Sequence, residues 1–187
     1  GKQYVALCDG FGPARGGYKR GDTVHNSRIY SLEGDPPDLT FSYLPGYPDL
    51  IPNEDDSLVG QQYYGFGITA IGDGIYSFMS VPNHAFTEPG GRFIGVKLMY
   101  SPDSGKTWKN QDGSPAVGEA PSEQSRENML FLNEPDGSFA LISVLQMGRD
   151  HEHNKDWYVY VYSPNGYVEG TMNQLAMFRV LKDSILD

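Results

Sequence analysis

Apolar residues along this chain come in short runs rich in Val, Ile, Tyr and Phe, and the runs stop at Gly, Pro and Asp. Runs of that kind between turn residues read as β-strands. The clearest set is in mid-chain. Residues 63–71 form a first strand, Asp73-Gly74 a tight turn, residues 75–81 a second strand, and residues 93–100 a third. A polar turn then leads to a short fourth strand at Thr107-Trp108. Asp-Gly between apolar runs is a strong hairpin signal, so the set predicts a four-stranded antiparallel meander.

Two signals repeat. Gly74-Ile75-Tyr76 returns as Gly137-Ser138-Phe139, at an offset of 137 − 74 = 63, and both follow an Asp. Tyr-Ser at a strand end occurs at Tyr30-Ser31, Tyr100-Ser101 and Tyr162-Ser163, at offsets of 70 and 62. The third unit then reads as strands at 128–133, 138–145, 157–162 and 174–180, and the first as strands at 4–8, 28–32 and 39–44. The predicted fold is all-β, a β-propeller of four-stranded antiparallel blades, with blades at about 1–44, 61–109 and 127–181. Tyr76 and Phe139 should occupy equivalent strand positions. Propellers close with roughly four to eight blades. Three blades leave exposed edges, so the expectation is part of a larger propeller or a chain that associates with other copies. The alternative is a small two-sheet sandwich without a repeat.

The turn after residue 100 is Ser101-Pro102-Asp103-Ser104-Gly105-Lys106-Thr107-Trp108. Ser101 and Asp103 can fold back onto backbone N–H groups, Gly105 allows positive φ, and Trp108 supplies an indole to bury. It resembles the Asp-box of sialidase-like propellers and reads as a folding device rather than a catalytic one.

Composition narrows the choice. Net charge is -10, which disfavours a nucleic-acid partner. The single cysteine, Cys8, excludes an internal disulfide and a Cys-based zinc site. No run approaches the ~20 apolar residues of a membrane span. No signal peptide is visible, and the chain opens already entering a strand, as an excised segment would.

A meander has two ends. The short turns share one, and the long loops at 9–27, 45–62, 82–92, 115–127 and 146–156 are expected to share the other. All four histidines, His25, His84, His151 and His153, fall in those loops. Asp9 ends a strand and is followed by Gly10-Phe11-Gly12, where a ligand can approach the backbone. A carboxylate so placed suits glycoside hydrolysis, with Asp22 or Glu127 as the second acid and Glu152 as a further alternative. The competing reading is an Asp that caps its own loop. His84, Arg92, Arg149, His151, Glu152 and Tyr64 are the candidate substrate-binding residues. His151-Glu152-His153 lacks an identifiable third ligand, so no metal site and no cofactor are expected.

Taken in order, Tyr4 to Gly12, Tyr64-Gly65-Phe66-Gly67-Ile68, the 101–108 turn, Val159-Tyr160-Val161-Tyr162 and Leu175-Ala176-Met177-Phe178-Arg179-Val180 resemble a family of sialidase-like five-bladed propellers catalogued as a domain of unknown function. Some of its members are endo-D-arabinanases. The resemblance implies a glycoside hydrolase acting on a polysaccharide or cell-wall glycan such as arabinan, in an extracellular or cell-envelope location. Its partner would be a carbohydrate, not a nucleic acid or a membrane. The alternative is a non-catalytic glycan- or protein-binding propeller. The arginine triad of sialidases proper does not assemble from Arg15, Arg92, Arg126 and Arg149, so sialic acid is not the first substrate expected.

Overall fold

The computed structural model describes residues 3–7, 10–11, 24–25, 28–44, 46–47, 64–82, 93–116, 132–133, 138–164 and 173–187. These residues form antiparallel β-structure. Three sheets stack face to face, without a closed barrel among the described residues, as partial blades of a propeller would. No helix among them is long and apolar enough to cross a membrane.

The first sheet has the order β1 (Gln3–Leu7), β4 (Arg28–Glu33), β5 (Thr40–Tyr43). Between its first two strands lies a smaller ladder, β2 (Gly10–Phe11) with β3 (Val24–His25). Paired residue numbers sum to 35 in both ladders, Gln3 with Leu32 and Gly10 with His25, so β2 and β3 prolong the β1–β4 hairpin in register. Residues 10–11 and 24–25, expected within a loop at 9–27, are therefore paired strand.

The middle sheet is built from β6 (Tyr64–Ile71), β7 (Gly74–Pro82) and β8 (Phe93–Ser101), with β9 (Lys109–Asn110) and β10 (Leu132–Asn133) both on the outer edge of β8. Its central strands are buried on both faces, which is why their apolar residues fall at odd and even positions alike. Ile75, Met79 and Met99 pack with Ile29, Tyr47 and Trp108 toward the first sheet. Phe78, Val96 and Leu98 pack with Ile142, Val159, Val161 and Ile185 toward the third. That third sheet has the order β11 (Ser143–Leu145), β12 (Tyr158–Pro164), β13 (Leu175–Leu181).

The Tyr-Ser repeat holds. Ser31, Ser101 and Ser163 lie in the central strand of each sheet, all buried. Two other expectations need correction. Phe139 does not match Tyr76: Tyr76 lies in β7 and stacks on Tyr100, whereas Phe139 lies in a turn and meets Phe178 edge-on at 5.1 Å. Residues 132–133, expected to open the third sheet, pair instead with Val96 and Gly95 of β8. Because β9 is only two residues long, most of that edge is bare, and β10 takes up free backbone groups there. Running antiparallel to β8, β10 carries the chain away from the Asp73 and Ser104 turns. The following strand, β11, must then come back toward them.

Candidate functional site

The return of β11 decides where the 146–157 segment sits. It lies at the short-turn end of the middle sheet, not at the opposite end where its length placed it. Gln146 Oε1 accepts from Thr69 Oγ1 at 3.2 Å, His151 Nε2 meets the same oxygen at 2.7 Å, and Asp150 Oδ1 accepts from Gly72 N at 2.8 Å. Ser104 N donates to Asp73 O in the neighbouring turn.

His151 is fully buried in this contact. Thr69 spends its proton on Gln146, so its oxygen accepts from His151, which fixes the proton on Nε2. Nδ1 is left as a buried lone pair without a partner. Burial holds the imidazole below its ordinary pKa. The Lys182 ammonium adds to that, while Asp150 opposes it. Lys182 Nζ donates to the carbonyls of Asp150 and His151. A neutral, buried, hydrogen-bonded histidine is an anchor for its loop, not a group presented to a sugar.

What the loop presents lies around that anchor. Arg149, Glu152, His153 and Trp157 are exposed. The backbone is held by Glu152 N to Arg149 O, His153 N to Met147 O and Asn154 N to His151 O, all near 3 Å. Gly148, Asp150, His151 and Trp157 all adopt positive φ. For a bulky Trp that is strained backbone, and strain of this kind persists only where surroundings over-determine it. A tryptophan at a strand start reads as core, yet this side chain is 69% exposed beside Lys182, whose Nζ lies 5.4 Å from the ring centroid.

Tyr64 sits apart from this loop. It begins β6 and packs edge-on against Phe93 at 5.7 Å, while Thr69 is five residues on, roughly 17 Å along a strand. Tyr64 and the Arg149–Glu152 group therefore do not line one monosaccharide-sized cleft. Asp9, Asp22, Glu127, His84 and Arg92 lie outside the described residues. The ladders that flank Asp9 in sequence are described, ending at Leu7 and resuming at Gly10.

The 101–108 turn closes on itself as its residue types require. Asp103 Oδ1 accepts from Lys106 N, Thr107 N and Ser101 Oγ, and Oδ2 accepts from Thr107 Oγ1. Ser101 Oγ accepts from Gly105 N at 2.7 Å, and Trp108 Nε1 donates to Gly105 O. The donation from Thr107 N, with the other hydrogen bonds, lowers the Asp103 carboxyl to about 2. With both carboxylate oxygens bonded within the turn, Asp103 is structural. Lys97 is fully buried on β8 opposite Met79, although a lysine in a strand pattern reads as solvent-facing. Among the described residues no group of three or more His, Cys, Asp or Glu could hold a metal ion.

No family model matches the chain, and no curated protein matches it.

Proposed function

We propose that the chain is a glycoside hydrolase acting on a polysaccharide or cell-wall glycan of the arabinan type, outside the cell or in its envelope. Asp9 and a second carboxylate, Asp22 or Glu127, form the working pair. The observation that carries this reading is the first-sheet hairpin. Its ladders, Gln3–Leu7 with 28–32 and Gly10–Phe11 with Val24–His25, keep one register on the two sides of Asp9 in the sequence, which supports a carboxylate held by a rigid element. Gly10 and Gly12, next to it in the sequence, have no side chain to keep a sugar ring from the backbone. The stacked all-β architecture and the self-closed Ser101–Trp108 turn also support it, because they suit a sialidase-like blade.

In such a pair one carboxyl protonates the leaving oxygen. The other attacks the anomeric carbon, at roughly 5–5.5 Å separation, or activates water across a gap of roughly 6.5–9.5 Å. His84, Arg92 and Tyr64 are assigned to sugar binding.

The second reading is a non-catalytic glycan- or protein-binding domain. It is favoured by the rigid loop that holds Arg149, Glu152 and Trp157 out to solvent at the other end of the middle sheet.

Asp9→Asn tests the choice. It keeps side-chain shape but loses the charge. If Asp9 is catalytic, the variant releases no reducing ends from glycans that the parent cleaves, while glycan binding and melting temperature persist. Unchanged cleavage removes Asp9 from the mechanism.

A further inference from the structure

The 146–157 loop is docked on the middle sheet by very few groups. Thr69 near the end of β6 bonds Gln146 and His151, and Gly72 N in the following turn donates to Asp150 Oδ1. Among residues 146–157 only His151 is buried, and the others are half-buried or exposed. The loop is thus seated by one enclosed side chain, and that side chain is titratable. The chain's own residues enclose it completely.

This seat accepts the ring in one protonation state. Nε2–H donates to Thr69, and Nδ1 has no partner. A second proton would go on Nδ1. It would create a buried N–H without an acceptor, on a ring that has become a cation, and each is costly away from water. The surrounding charges do not repair this. From the segment after β13, Lys182 brings its ammonium within 3.0 Å of His151 O. Asp183 beside it is exposed, and its charge acts on Tyr76. From β6, Thr69 is neutral, and the strand's titratable residue, Tyr64, is at its other end. From the loop itself, Asp150 favours the charged ring, but its carboxylate is already bonded to Gly72. Arg149, Glu152 and His153 are exposed, and Glu152 lies 3.8 Å from His153. Burial and Lys182 together outweigh Asp150, and the ring's pKa is lowered.

We propose that protonation of His151 releases the 146–157 loop from Thr69 and Gly72 while the stacked sheets stay folded. The sheets do not need the loop. Phe78, Val96 and Leu98 pack against Ile142, Val159 and Val161, and the loop supplies none of this core. Opening frees Arg149 and Glu152 from the fixed arrangement that the closed loop gives them. The device is independent of the hydrolase reading. In the open loop the ring titrates near its ordinary value of 6.5. The closed loop is therefore fully favoured above that pH and loses ground as pH falls through it. Between about pH 7.5 and pH 5 the proton raises the opening equilibrium by up to roughly thirtyfold.

Amide hydrogen exchange of the parent protein, followed by NMR over that pH range and corrected for the intrinsic pH dependence of exchange, tests it. Gly72 reports the contact, His153 and Asn154 report the loop, and Ser77 and Phe78 report the centre of the middle sheet. Protection of the first three should fall by at least about tenfold toward pH 5. At every pH they should exchange faster than Ser77 and Phe78, whose exchange requires the sheets to part. The ring protons of His151 should shift over the same pH interval. In His151→Gln, which keeps a donor for Thr69 and has no titrating ring, loop protection should not vary with pH. Three results overturn the proposal: loop amides that exchange no faster than Ser77 and Phe78, loop protection in the parent that is constant with pH, or the same pH dependence in His151→Gln. Where that variant does not fold, the parent decides: a His151 ring that fails to titrate alongside the loop amides overturns the proposal equally.

Discussion

Replacing Thr69 by Val removes one oxygen from the contact that ties the third sheet's loop to the middle sheet, with little change in shape. That oxygen serves two partners, accepting from His151 Nε2 at 2.7 Å and donating to Gln146 at 3.2 Å. His151 is fully buried and its Nδ1 already has no partner, so the variant leaves the whole ring unsatisfied. An orphaned buried polar group costs about 1–3 kcal/mol. For a chain of this size each kcal/mol moves the midpoint by about 2–4 °C, so Thr69→Val should melt roughly 2–12 °C lower. The same ring sets an acid response. Its pKa is lowered in the folded state, whereas the unfolded chain takes up the proton near the ordinary value of 6.5. Below that pH the unfolded state holds more protons, so stability falls as pH drops from about 6.5 toward the folded pKa. His151→Gln keeps an N–H donor and cannot titrate, so it should flatten this slope. Urea titrations of the parent and both variants at several pH values between 5 and 8 measure both effects. A Thr69→Val protein within about 0.5 kcal/mol of the parent would refute the anchoring role. An unchanged acid slope in His151→Gln would refute the assignment of that slope to this ring.

Other perturbations have outcomes fixed by local geometry. Gly105 has φ +89°, and a Cβ there would lie 2.6 Å from Leu44 Cδ1, so Gly105→Ala should lose about 1–3 kcal/mol in urea unfolding. Phe78→Ala opens a cavity between the middle and third sheets and should cost about 3–5 kcal/mol by the same measurement. Asp103→Ala should lower the melting temperature at neutral pH. In the parent the contribution of this carboxylate is present above its unfolded value of 3.8 and is lost as pH falls toward about 2, so parent and variant should converge across that interval.

The parts of the fold legible in the sequence are those decided locally. Strands β6, β7 and β8 follow from apolar runs between Gly and Asp turns. The 101–108 turn follows from side chains that satisfy their own backbone. Ser31, Ser101 and Ser163 recur because each sits in the central strand of its sheet. The third unit departs from its sequence pattern because residues 128–133 carry a strand pattern but nothing that says which edge they join. Pairing with β8 reversed the chain's approach and moved 146–157 to the other end of the middle sheet. His151 had a ligand-like pattern because Thr69, the partner that buries it, is 82 residues away. Phe139 had the right spacing and the wrong place, since its contact is with Phe178 rather than with a strand equivalent to β8.

The measurement that bears most directly on the proposed function is reducing-end release by the unmutated protein from a panel of arabinans and other polysaccharides, with the anomeric configuration of the first product read by NMR. Turnover on at least one glycan, with a single configuration and loss of activity in Asp9→Asn, is the result expected of a carboxylate pair that includes Asp9. Absence of release from every glycan, by protein shown to be folded, would contradict the hydrolase reading and leave the binding role in its place.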